Sequence, residues 1–217
     1  MNQRAKDLLN KGAGELGIEL TPAQLNALDL FAEELKKWNR KINLTAITDD
    51  EGIAVKHLVD SLSLLKVVRG GGRLLDIGSG GGFPGIPVKL VQPDLEIVSV
   101  DAVVKKISFQ KQAVRLLNLV GFNAMHVRAE TLAADYAASF DWVVSRAFSD
   151  IPSFVEMALP VLKGDGHIVA MKGKNAAEEV AAAESELDKL GAKVESVHDF
   201  ELPCSGDARS LVVIVKK

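Results

Sequence analysis

The apolar run Leu74-Leu75-Asp76-Ile77 is followed directly by Gly78, Gly80, Gly81, Gly82 and Gly85, five of the chain's 18 glycines. A strand that ends in a glycine-rich turn and opens a helix leaves bare backbone at the carboxyl edge of a parallel sheet, where a nucleotide-type cofactor can lie. Gly80, Gly82 and Gly85 also satisfy the dinucleotide pattern G-x-G-x-x-G, so a dehydrogenase has to be weighed, as does a turn with no ligand. Asp76 narrows the choice. At the strand end its carboxylate would repel a pyrophosphate but accept hydrogen bonds from a ligand ammonium, which favours S-adenosylmethionine over NAD. Asp101 closes the next apolar run, 23 residues after Gly78. An acidic side chain there can take both hydroxyls of a ribose, or simply cap the helix that follows. Residues just after the third and fourth strands should face the same ligand: Arg128, Ala129 and Glu130, then Ser145, Arg146 and Ala147. A single arginine is explained by surface charge, whereas two at corresponding strand ends favour function.

Positioning these residues requires alternating strands and helices. From Arg73 onward, short β-rich runs near 73–77, 96–101, 123–128, 141–145, 166–172, 193–200 and 210–216 alternate with helical patterns near 84–92, 103–119, 151–162 and 175–190. This order predicts an α/β fold with a mostly parallel sheet. Only a turn-rich segment, Leu202 to Asp207, separates the last two strands, so they should pair antiparallel. Residues 1–70 read as a helical extension and 71–217 as the α/β domain. Thr21, Pro22 and Gln24 supply a cap, a first-turn proline and a capping-box partner for a helix to about Trp38, with Leu25, Leu28, Phe31 and Leu35 on one stripe. Thr48 and Glu51 predict a second helix to about Val68.

The 217 residues are 47% hydrophobic and 25% charged, with a formal net charge of -3, an ordinary globular composition. Contact with nucleic acid therefore needs local basic patches, not a polycationic chain. The densest such patch is Lys36, Lys37, Arg40 and Lys41, which joins Lys172, Lys174 and Arg209 as a candidate phosphate-tracking surface or remains a solvated face. Cys204 is the single cysteine, the first 20 residues carry charges where a signal peptide needs an apolar core, and no run is long enough to span a membrane. A cytoplasmic protein without membrane contact is expected. His57, His126, His167 and His198 have no metal-ligand spacing, so no metal is expected. His57, Asp60 and Ser61 share one helical face, read here as a contact between the N-terminal helices and the sheet.

Four ordered motifs carry a further signal: Trp38-Asn39-Arg40-Lys41-Ile42-Asn43-Leu44-Thr45, His57-Leu58-Val59-Asp60-Ser61-Leu62, the stretch from Leu75 to Pro87, and Val144-Ser145-Arg146-Ala147-Phe148. Together they resemble the glucose-inhibited division protein B family, also called ribosomal RNA small subunit methyltransferase G. The similarity runs from about Leu20 to Val215. The resemblance implies a seven-stranded class I S-adenosylmethionine-dependent methyltransferase fold, Rossmann-like, with its last strand antiparallel. It also implies methylation of N7 of one guanine in 16S ribosomal RNA, with the RNA or the small ribosomal subunit as partner; a monomer is expected, although the sequence does not itself give the oligomeric state. Carried over by position, the cofactor contacts fall on Gly78, Phe83, Ala129, Glu130 and Arg146, beside Asp76, Gly80 and Asp101 from the sequence reading. Arg146 is also the residue expected at the reacting atoms, with Arg128, Lys172 and Arg209 on the substrate side. Ser210 and Phe83 depart from a histidine and a leucine common in the family.

Guanine N7 carries an in-plane lone pair and no proton, so its methylation needs positioning more than a general base. The sequence lacks the Pro-Pro-Tyr motif of exocyclic-amine methyltransferases. Pro203-Cys204 resembles the nucleophile dipeptide of cytosine-C5 enzymes but lies between the sixth and seventh strands. The competing readings are a class I methyltransferase acting on a small molecule or protein, and a non-enzymatic RNA-binding factor with a vestigial pocket.

Overall fold

The computed structural model describes every residue except 147 and 149, so Ala147 lies outside the described residues. Seven strands, β1 (Gly72–Ile77), β2 (Leu95–Asp101), β3 (Phe122–His126), β4 (Phe140–Ser145), β5 (Leu162–Lys172), β6 (Ala192–Glu201) and β7 (Ala208–Lys216), form one sheet in the order β3-β2-β1-β4-β5-β7-β6. Strands β1 to β5 pair in parallel, while β7 lies antiparallel between β5 and β6. The expected α/β order is therefore present, antiparallel last strand included. Chain order reverses between β1 and β4, which opens a crevice at their carboxyl ends.

The central strands are buried on both faces because their apolar residues are nearly continuous. Leu74, Ile97, Val144 and Val169 point into one core, and Leu75, Val98, Val143 and Ile168 into the other. Helices α8 (Ile151–Ala158) and α9 (Ala176–Lys189) cover the second face. The first is covered by α5 (Gly85–Val91) and α6 (Val104–Leu116), together with the N-terminal helices α1 (Gln3–Glu15) and α2 (Pro22–Asn39). A short α7 (Ala133–Tyr136) precedes β4. Phe31 of α2 is fully buried between Phe83 of the glycine turn and Phe109 of α6, at ring-centroid distances of 5.4 and 6.0 Å. Truncating a buried phenylalanine of this kind typically costs about 3–5 kcal/mol.

The Thr21 capping box forms as expected: Thr21 Oγ1 accepts from Gln24 N at 3.2 Å and Gln24 Oε1 accepts from Thr21 N at 2.9 Å. The second helix start differs. Asp49, not Thr48, is the cap, and its Oδ1 accepts from Gly52 N at 2.7 Å. A carboxylate satisfies the electropositive helix start better than a hydroxyl. Nor is the helix regular. It passes from α3 (Asp50–Gly52) through a π-helical Ile53–Val59 to α4 (Asp60–Leu62) and a 3-10 turn, Ser63–Lys66. Between α2 and α3 the chain folds back over Asn39, whose Oδ1 accepts from the backbone of Leu44 and Thr45. Among the described residues, no helix is long and apolar enough to cross a membrane.

Candidate functional site

Two cavities open along the carboxyl edge of the parallel strands. The first, about 340 Å³, lies over the ends of β1, β2 and β3 and is lined by Gly78, Asp101, Arg128, Ala129 and Glu130, with apolar walls from Val100, Val127, Phe148 and Met157. That size and lining suit a small ligand with one apolar ring and a few polar handles. Gly78 adopts φ +72°, a conformation that favours glycine, and brings bare backbone to this wall. Asp101 is nearly buried; Oδ2 accepts from Gly80 N at 2.9 Å and Oδ1 from Val103 N at 2.8 Å. Each oxygen keeps a lone pair after these bonds, so the carboxylate is both locked in place and able to accept from a ribose.

A buried network holds the glycine turn itself. Gln110 of α6 donates from Nε2 to Ser79 Oγ and Gly80 O at 2.8 and 2.9 Å, and its Oε1 accepts from Ser99 Oγ at 2.7 Å. Beneath the turn, Asp76 is fully buried. Its Oδ2 accepts from Gly85 N at 2.9 Å, while Oδ1 has no hydrogen-bond partner among the described residues. Burial raises its pKa to about 7, assisted by nearby Asp101 and opposed by the Gly85 N–H and Arg146. A β-carbon at position 85 would sit 2.9 Å from Asp76 Oδ2, so glycine there makes the contact possible.

The second cavity, about 360 Å³, lies beyond the ends of β4 and β5 and the start of β7. Lys56, Arg146, Lys172 and Arg209 line it against Asp60 and Asp207, giving an excess of positive charge. Arg146 lies 5.1 Å over the ring of Phe83, which stacks on His57 at 4.5 Å. Burial, with the adjacent Arg146 guanidinium, lowers the His57 pKa to about 4, so the imidazole is neutral at physiological pH. Arg146 Nη2 donates toward His57 Nδ1 at 3.4 Å, which assigns the ring proton to Nε2, 2.7 Å from Thr45 Oγ1. Buried Asp60 accepts from Arg146 at 3.2 Å and from Arg209 at 2.7 Å.

A nucleotide-sized cavity thus lies beside a cationic one at the switch point of a parallel sheet, a place where ligands of this fold class bind. The sequence model of the family described as rRNA small subunit methyltransferase G matches residues 24–211. A Ribosomal RNA small subunit methyltransferase G from Geobacter sp. (strain M21) is 79% identical over 214 residues, covering 99% of each chain. The chain belongs to this family. Solved structures agree on the fold. A SAM dependent methyltransferase from Aquifex aeolicus matches with a TM-score of 0.60 at 16% identity over 85% of this chain and 98% of its own. M. jannaschii TYW2 in complex with AdoMet matches at 0.59 and 11% identity over 73% and 75%.

In this rRNA small subunit methyltransferase G family member, Gly78, Asp101, Ala129 and Glu130 come together at the first cavity, as the sequence expected of cofactor contacts. Arg128, expected on the substrate side, lines that same cavity. Asp76, Gly80 and Phe83 do not line it. Asp76 is buried beneath the turn, the Phe83 ring points from the turn onto Phe31 and His57, and Gly80 is tied by its backbone to Asp101 and Gln110. Arg146 and Arg209 meet at the second cavity. Lys172 joins them, with Nζ 2.6 Å from Glu179 and donating to Phe148 O at 2.8 Å. Of the face His57, Asp60 and Ser61 expected to meet the sheet, His57 and Asp60 meet Arg146 at the end of β4, whereas Ser61 Oγ donates to His57 O within its own segment. Sequence reading missed Asp60 as a bridge between two arginines, although its spacing from His57 had marked the face. Among the described residues no metal-binding cluster occurs.

Proposed function

We propose that this chain transfers a methyl group from S-adenosylmethionine to N7 of one guanine in 16S ribosomal RNA, acting in the cytoplasm as a monomer on the small ribosomal subunit or its RNA. The observation that carries the reading is the adjacency of the two cavities: one acid-rimmed and apolar-walled, the other cationic, on neighbouring strand ends. Asp101 would hold the ribose hydroxyls, the Gly78 backbone and Glu130 the polar remainder of the donor, and Val100, Val127 and Met157 its ring. The donor supplies an electrophilic sulfonium methyl. Arg209 and Arg146 would engage RNA phosphate or the guanine edge, because a planar guanidinium suits both. The helices before β1 act as an extension that closes the substrate side through Lys56, His57 and Asp60.

No side chain has to remove a proton from guanine N7. The neutral His57, whose Nδ1 accepts from Arg146, contributes orientation, and the rate enhancement comes from aligning nucleophile and methyl. The test uses labelled donor and small-subunit particles from cells lacking the enzyme, with the modified nucleotide mapped. Label at N7 of a single guanine is expected; label on another base or atom would refute the substrate assignment.

A further inference from the structure

The π-helical segment Ile53–Val59 ends where Asp60 N donates to Val55 O, five residues back. Widened turns of this kind concentrate at functional positions because they redirect backbone groups and side chains. Here the widened turn gathers three acceptors around one guanidinium. Arg146 Nη1 donates to Lys56 O at 3.3 Å and to Asp60 Oδ2 at 3.2 Å, and Nη2 to His57 Nδ1 at 3.4 Å. The other carboxylate oxygen, Asp60 Oδ1, accepts from Arg209 Nε at 2.7 Å.

Asp60 is thus a nearly buried anion with one oxygen on each of two arginines. These come from two strands with only β5 between them, the end of β4 and the start of β7. Both arginine side chains remain about a quarter exposed, at 24% and 25%, so each keeps donors facing the cavity. Two guanidiniums on one carboxylate repel one another, and this shared counter-ion offsets the repulsion, with Asp207 adding only a longer contact to Arg209 Nη2 at 3.9 Å. We propose that Asp60 is a positioning residue for methyl transfer, fixing Arg146 and Arg209 in register with each other. This rests on the functional reading above, which places both arginines on the substrate. It also makes a counter-intuitive demand. Were Asp60 only a charge, removing it would make the cavity more cationic and improve the enzyme's grip on RNA without slowing turnover.

The experiment compares full-length wild type with Asp60→Asn for turnover on unmethylated small-subunit particles, donor affinity by calorimetry, and melting. The expected result is a split: KM for RNA unchanged or lower, kcat reduced about tenfold to a hundredfold, and donor affinity within about twofold of wild type. A kcat within about twofold of wild type overturns the proposal. So does a fall in kcat that merely tracks lost donor affinity and lost folded fraction. Proton exchange at the arginine Nε–H groups, followed by NMR, decides the pairing in the wild type even where Asp60→Asn does not fold. A slowly exchanging Arg209 Nε–H is expected, whereas exchange at the rate of a solvated arginine overturns the proposal. A wild type that leaves RNA unmethylated refutes the functional reading, and with it the positioning role, while the exchange result separately shows whether the pairing exists.

Discussion

Asp76→Asn removes a carboxyl that the fold holds under unfavourable conditions. Its pKa rises from the ordinary 3.8 to about 7, chiefly through burial. Between those values the native state binds more protons than the unfolded state, so this group's contribution to stability falls as pH rises. At 1.36 kcal/mol per unit the loss reaches about 4 kcal/mol above pH 7. His57 acts in the opposite sense. Its pKa falls from 6.5 to about 4, the native state binds fewer protons, and stability rises with pH across that window by about 3 kcal/mol. In the donor-free wild type the two slopes nearly cancel between about pH 4 and 6.5. Asp76→Asn unmasks the histidine slope. Its amide nitrogen also inherits the place of the unpartnered Oδ1, at a pH-independent cost of about 1–3 kcal/mol. Urea unfolding at half-unit steps from pH 4.5 to 8 should show the variant gaining on wild type by about 3 kcal/mol over that window, the first ~1 kcal/mol of the loss lying below pH 4.5. A difference between the two proteins that stays constant with pH within about 1 kcal/mol refutes the reasoning.

Arg146→Ala should abolish methyl transfer while circular dichroism and donor-free melting report an intact fold; wild-type kinetics would contradict its place at the reacting atoms. Asp101→Ala deletes a charge-assisted ribose acceptor and should raise the donor Kd about tenfold to a hundredfold by calorimetry, with kcat at saturation largely kept. Gly82→Ala places a β-carbon 2.5 Å from Ile86 Cδ1 at φ +84° and should lower stability by about 1–3 kcal/mol, read as the shift in urea midpoint. Thr21→Ala loses the capping box of α2, for about 1 kcal/mol and a fall of roughly 2–4 °C in Tm.

The sheet was legible because strand and turn signals are local. Leu74, Leu75 and Ile77 before a glycine run announce β1 whatever surrounds them, and the short Leu202–Asp207 link dictates antiparallel pairing. Strand β5 was placed late, at 166, because Gly164 and Gly166 resemble a turn, yet that backbone still carries Leu162 into register with Phe140. Residues lining the first cavity were readable where strand order alone aims them, as with Gly78, Asp101 and Ala129. Asp76 lies at the strand end where the sequence put it, but its depth was not legible: it is fully buried, with Oδ2 accepting from Gly85 N. The union of Asp60 with Arg146 and Arg209 joins positions far apart in sequence, and only the order β4-β5-β7 brings them together. Half of the basic cluster at the end of α2 is engaged by carboxylates: Lys36 pairs with Glu33 and Asp50, and Lys37 with Glu34.

The reversed course of β7 has a temporal side. Because it runs against β5, its first residues reach the rim where the parallel strands end, and Ser210 pairs with Lys172 there. A chain emerging during translation therefore carries Lys56, His57, Asp60 and Arg146 long before Arg209 arrives to share the same carboxylate. The sheet stays equally incomplete, for β6 reaches β5 only through β7. A half-made molecule consequently has neither the shared carboxylate bridge nor a closed sheet edge, and both are completed by the last strand to leave the ribosome.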